Sequence, residues 1–168
     1  MSEEKNLLLL KEEIRSANLV LAGLGEGLSG DRSVLYQALS ALLKKKDYFI
    51  VSLLDDRTDL EAAGLNPEQI TLPLAEGETQ KSWERYLHWL SFTLNQKLCI
   101  LELGAGFAHP ELIRFPFEKT CYFNRKSRMF RINRQFPQLT EEIAERGVSI
   151  QADPAVFLTA ESRPEEET

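Results

Sequence analysis

The sequence predicts one α/β domain: a Rossmann-like parallel sheet with helices on both faces. Three observations lead there. Apolar, strand-type runs alternate with helical patterns of ten or more residues, and consecutive parallel strands require crossovers of that length. Two of the runs, LVLAGLGEGLS and ILELGAGF, end in glycine clusters, and ligands of open α/β sheets bind at the carboxyl ends of strands. The chain has 168 residues, 43% of them hydrophobic and 27% charged, enough for one domain with a substantial core.

The first sixteen residues read as an amphipathic helix through Leu7, Leu8, Leu10 and Ile14. NLVLAG follows as a buried strand, and Ser33 to Lys46 as a helix with Leu35, Ala38, Leu39, Leu42 and Leu43 inward. Lys44, Lys45 and Lys46 suit that helix's negative end. DYFIVSLLD is the second strand, TDLEAAG a short helix closed by Gly64, and QITLPLA a third strand weakened by Pro73. Thr79 to Gln96 carries the strongest helical signal, with Trp83, Tyr86, Leu87, Leu90 and Leu94 on one face. KLCILELGAG is the strongest strand. HPELIRFPFEK is expected to be a helical turn broken by Pro116, and CYFNR and MFRINR to be short strands. LTEEIAERG reads as a helix with Thr140 at its N-cap, VSIQA as the last strand, and DPAVFLTAESR as a final helix capped by Asp153. The organisation predicted is a helix at 1–16, the sheet domain at 17–160 and an acidic tail at 161–168.

A net charge of -6 argues against general nucleic-acid or membrane-surface binding, because phosphate attraction needs a positive surface. Cys99 and Cys121 sit among apolar residues, so each is expected as a buried reduced thiol. Neither belongs to a CxxC pair, and with His88 and His109 they offer no zinc spacing. The opening apolar run is too short for a signal peptide or membrane span, so a cytoplasmic location is expected.

Glycine lets main-chain N–H groups approach a phosphate or ribose closely. The first cluster places Gly23, Gly25 and Gly27 at alternate positions, not in the GxGxxG spacing of the ordinary dinucleotide fingerprint. The alternative reading is that these glycines serve a tight strand-to-helix turn and nothing more. The second cluster, with Glu102, Gly104 and Gly106, resembles the first motif of Rossmann methyltransferases that bind S-adenosylmethionine. Ala108 stands where that family has its third glycine, and Asn124 where an acid follows.

Taken in order, Gly23-Leu24-Gly25-Glu26-Gly27-Leu28-Ser29, LELGAGFAHP from Leu101 and IRFPFE from Ile113 resemble the sirtuin family, more closely its small bacterial branch associated with macrodomains. RIN at Arg131 to Asn133 resembles that family's ribose-contacting strand, and VSIQAD, ending in Asp153, its adenine-side strand. The likeness spans roughly residues 17 to 158. It implies a domain binding NAD or ADP-ribose through Gly23, Gly25, Glu26, Gly27, Ser29, Gly104, Gly106, Phe107, Asn133 and Asp153. It implies Asp56 and Glu76 as the remaining candidate catalytic acids, and an acylated or ADP-ribosylated protein as partner.

Ordinary deacetylase activity is not expected. Leu54 stands where the family has its catalytic Asn, and a leucine neither donates nor accepts a hydrogen bond. Ala75-Glu76-Gly77 lacks the family's His or Gln, the loop after Ser29 is cut to GDRSVLY with Tyr36 as its one aromatic, and no zinc module is present. Glu26 replaces a small residue in the phosphate loop, where two like charges about 4 Å apart repel by roughly 4 kcal/mol. Arg114, Arg131 and Arg134 are candidates to hold phosphates or to snorkel over apolar neighbours. The alternatives are an active NAD-dependent deacylase or ADP-ribosyltransferase, the methyltransferase, and a scaffold that has lost its ligand.

Overall fold

Val20, Ala22 and Leu24 turn to one side of the first strand, and Leu19 and Leu21 to the other. Period-two alternation of this kind, with every position apolar, requires cover on both faces of the sheet. A computed structural model describes residues 2–75, 77 and 80–160. It contains β1 (Leu19–Leu24), β2 (Asp47–Ser52), β3 (Ile70–Thr71), β4 (Leu98–Leu103), β5 (Arg128–Ile132) and β6 (Gly147–Ile150). They form one six-stranded sheet in the order β3-β2-β1-β4-β5-β6, parallel throughout.

One face is covered by α1 (Glu3–Ser16), α2 (Ser33–Leu43) and α6 (Pro154–Leu158), with Leu60 of α3 (Arg57–Ala62). Leu10 and Leu39 there are fully buried, each contributing about 1.5–3 kcal/mol of transfer free energy. The other face packs against α4 (Gln80–Ser91), α5 (Arg114–Phe123) and a 3-10 turn at Glu141–Arg146. The N-terminal helix is therefore part of the same core as the sheet, through Leu7, Leu10 and Ile14. Among the described residues no helix is long and apolar enough to cross a membrane.

Several local expectations are corrected. Cys121, Tyr122 and Phe123 are the last turn of α5 and not a strand. Pro116 does not break that helix, because it stands in the first turn, where main-chain N–H groups have no partner inside the helix. Phe117 and Cys121, four residues apart, supply its buried stripe. The LTEEIAERG segment forms the 3-10 turn, and Thr140 makes no side-chain cap. Asp153 does cap α6, accepting from Ala155 N at 2.9 Å and Val156 N at 3.2 Å.

The helix with the strongest sequence signal ends at Ser91, and Leu87 and Leu94 are 48% and 57% exposed. Its buried residues are Ser82 and Tyr86: it lies at the β3 border of the sheet, with the Tyr86 and Trp89 rings against Phe49 of β2. Lys46 serves the end of α1 and not of α2: its Nζ donates to Arg15 O at 2.7 Å and Ala17 O at 2.8 Å. Both cysteines are free and buried. The expected acidic tail, Thr79 and Glu76 lie outside the described residues.

Candidate functional site

The chain leaves β1 toward β2 on one side of the sheet and leaves β4 toward β5 on the other, so the strand order reverses between β1 and β4. Loops after such a pair diverge, and a crevice opens at their carboxyl ends. Here the two glycine-rich turns meet in that crevice. Gly25 N donates to Leu103 O at 2.8 Å and Gly27 N to Gly104 O at 2.8 Å. A Cβ on Gly25 would stand 2.2 Å from the Cα of Ala105, and one on Gly27 would stand 2.7 Å from Gly104 O. Gly104 itself has φ +69, a left-handed conformation that glycine adopts without strain.

This docking corrects one expectation. The N–H groups of Gly25 and Gly27 are spent on carbonyls of the neighbouring loop and do not face a ligand. Gly23 is not at the crevice either: a Cβ there would lie 2.6 Å from Cε2 of Phe117 and 2.8 Å from Cγ2 of Ile113, so its role is to let α5 approach β1.

A cleft of about 510 Å³ opens beside the docked turns, lined by Gly27, Ser29, Gly104, Gly106, Asn133 and Phe136 among others. Asn133 fixes its far wall: Nδ2 donates to Ala105 O at 3.1 Å, and Oδ1 accepts from Gln135 N and Phe136 N, each at 3.0 Å. Those bonds use both lone pairs of Oδ1 and one of the two Nδ2 protons. Phe136 packs edge-on to Phe107, centroids 5.2 Å apart, and the Arg114 guanidinium lies 4.3 Å from the Phe107 centroid. Asp153 spends one carboxylate oxygen on the start of α6. Glu26 lines the cleft, and its Oε1 accepts from Gly106 N at 3.0 Å and Ala108 N at 3.2 Å.

Asp56 belongs to a separate cluster outside the residues that line this cleft. Arg32 donates to both its oxygens, Nε to Oδ2 at 2.6 Å and Nη2 to Oδ1 at 3.2 Å, and the Tyr36 hydroxyl donates to Oδ2. Burial pushes the Asp56 carboxyl up, but the bonds from Arg32 and Tyr36 and the guanidinium charge outweigh it and hold it below its ordinary value. Burial and the neighbouring Asp56 push the Tyr36 phenol up. An acid held this way is a tie between the loop after β2 and the start of α2, and a poor proton acceptor. Leu54 packs against the core and supplies no polar group.

The sign of the Asp56 shift gives a prediction. A carboxyl whose pKa is lowered by folding adds stability above its unfolded value, near 3.9, and loses it as pH falls through the folded value. The stability gap between the wild type and Asp56→Asn is expected to be constant from pH 7 to about 5 and to close as pH drops below about 4. Urea titrations across that range measure it; a gap that widens in acid would reverse the assignment.

Reasoning from sequence missed a buried charged group between the sheet and α5, which lies outside the cleft's lining and holds the chain at Phe136 and Gln138. Arg131 is fully buried, donating through Nε and Nη2 to Glu102, also fully buried, and through Nη1 to Glu118 Oε1 at 2.7 Å and Gln138 O at 2.7 Å. Burial works against the guanidinium charge, yet the bonds and charge of Glu102 outweigh it and raise the Arg131 pKa. Arg114, 4% exposed, donates to Ala105 O and Phe136 O, both at 3.0 Å, and to Gln138 O at 3.3 Å. Both guanidinium groups are bonded to protein acceptors and neither snorkels; among the described residues that line the cleft, Arg134 is the exposed cation. Glu102, the acid of the methyltransferase-like motif, is turned toward α5 and taken by Arg131. The available signal was a charge inside the apolar strand MFRI, since a buried charge demands a partner.

Among the described residues no group of three or more His, Cys, Asp or Glu is placed to hold a metal ion. No protein-family model matches the chain, and no curated protein matches it.

Proposed function

We propose that the chain binds an adenine nucleotide of the NAD or ADP-ribose type in the cleft beside Gly27, Gly104 and Phe136, and lacks ordinary deacylase chemistry. The observation that carries this reading is the docking of Gly25 on Ala105, which brings two strand ends together and leaves a cleft beside them. Its volume of about 510 Å³ falls within the range of roughly 300–1,000 Å³ usual for small-molecule sites. Phe136 offers a flat apolar surface for a base, Ser29 a hydroxyl for a ribose or phosphate, and Arg134 a cation. The ordered resemblance of the glycine turns, IRFPFE and RIN to sirtuins supports the choice of nucleotide. The absence of chemistry follows from Leu54 at the Asn position and from Asp56, committed to Arg32.

One observation favours a ligand-free scaffold instead. Two N–H groups that could meet a phosphate, those of Gly106 and Ala108, are bonded to Glu26. Thermal unfolding separates the readings. ADP-ribose at a hundred times its Kd stabilises the folded state by about 2.7 kcal/mol, which raises Tm. The expected result is a rise with ADP-ribose and NAD, none with S-adenosylhomocysteine, and no deacylation of an acetyl-lysine peptide. A rise with S-adenosylhomocysteine alone would favour the methyltransferase; no rise with any of the three would favour the scaffold.

A further inference from the structure

Glu26 is exposed on the loop after β1, yet its carboxylate is not free in solvent. One oxygen accepts two main-chain N–H bonds from the loop after β4, from Gly106 and Ala108, eighty and eighty-two residues further along the chain. Two N–H groups converging on a single oxygen are an arrangement suited to an anion, and the protein fills it with its own. The contact is tight: a Cβ on Gly106 would stand 2.7 Å from Glu26 Oε1, so glycine there leaves room for the acid. Glu26, Gly106 and Gly27 line the same cleft. An anionic ligand group reaching these N–H groups therefore meets a negative charge already seated on them.

Resting on the nucleotide reading above, we infer that Glu26 is an internal stand-in for a ligand phosphate. It occupies the anion subsite formed by Gly106 N and Ala108 N and must swing into solvent before a phosphate can take its place. The residue then sets specificity. It weakens binding of phosphate-bearing ligands and leaves the apolar and ribose contacts at Phe136 and Ser29 untouched. Because the side chain is exposed, it can leave without disturbing the core.

The test compares the wild type with Glu26→Ala by calorimetric titration of ADP-ribose and adenosine, and by amide resonances of Gly106 and Ala108. Release of two charge-assisted bonds and one like charge is expected to raise ADP-ribose affinity by about tenfold or more, with adenosine affinity unchanged. Both resonances are expected to move on substitution, and to move again when ADP-ribose is added to the variant. Equal or weaker ADP-ribose binding by the variant, in a wild type that does bind it, overturns the inference and leaves the nucleotide reading standing. Weaker adenosine binding by the variant also overturns it, since Glu26 would then be a ligand contact. If neither protein binds either compound, the nucleotide reading falls, and inorganic pyrophosphate decides the subsite. Movement of the Gly106 and Ala108 resonances in the variant alone upholds it, and no movement refutes it.

Discussion

Replacing Arg131 with methionine is expected to lower the free energy of unfolding by about 3–5 kcal/mol, because truncating one member of a buried ion pair leaves the other uncompensated. The strand partner Glu102 has no access to water, and Glu118 and Gln138 O lose a donor in the same step. Burying charges is costly in itself, so the pair as a whole adds much less than its disruption removes. The double variant Arg131→Met with Glu102→Met is therefore expected to recover most of the loss. Urea unfolding of the two single variants and the double gives the coupling directly. A single-variant loss under about 1 kcal/mol would mean that the guanidinium does not tie β5 to β4 and α5.

Gly25→Ala should be the most damaging small change at the crevice. Its methyl group would meet main-chain atoms, 2.2 Å from Ala105 Cα and 2.4 Å from Ala105 N, which cannot rotate away. The two loops must then part, at a cost of about 1–3 kcal/mol for overpacking, and the cleft beside them changes shape. Gly106→Ala is the informative contrast. A methyl group there meets the end of the Glu26 side chain at 2.7 Å and the Phe136 ring at 3.4 Å. Displacing a flexible exposed carboxylate is cheap. A lower urea midpoint and lost ADP-ribose binding are expected for Gly25→Ala, with a near-normal midpoint for Gly106→Ala. Equal midpoints would show that the loops are not held by their close approach.

The fold was legible where the chain is uniformly apolar. β1 and β4 are buried at every position, so their strand character and central place could be read from LVLAGL and LCILEL. It was not legible where local preference and packing disagree. Cys121, Tyr122 and Phe123 favour strands, but Phe117 and Cys121 on one face of α5 bury against β1 and β4, and that packing prevails. α4 differed the other way: its apolar spacing was real, yet the helix ends at Ser91, before Leu94, and leaves Leu87 exposed.

At the site, the two glycine clusters and their meeting at one rim could be anticipated from strand ends alone. Their division of labour could not. Gly23 makes space for Phe117, Gly25 for Ala105 and Gly27 for Gly104 O, three different neighbours behind one repeating pattern. The partners of Glu26 and Arg131 lie far along the chain, and periodicity within a window cannot reveal a pairing across strands.

The two outermost strands have a consequence of their own. A sheet border with many unpaired main-chain groups invites another molecule to add a strand, and proteins guard against this by keeping borders short or covered. Here β3 presents two residues, both buried with α4 alongside, and β6 presents four. Borders this short give a second chain little length on which to zip, and the longer inner strands are already paired on both sides.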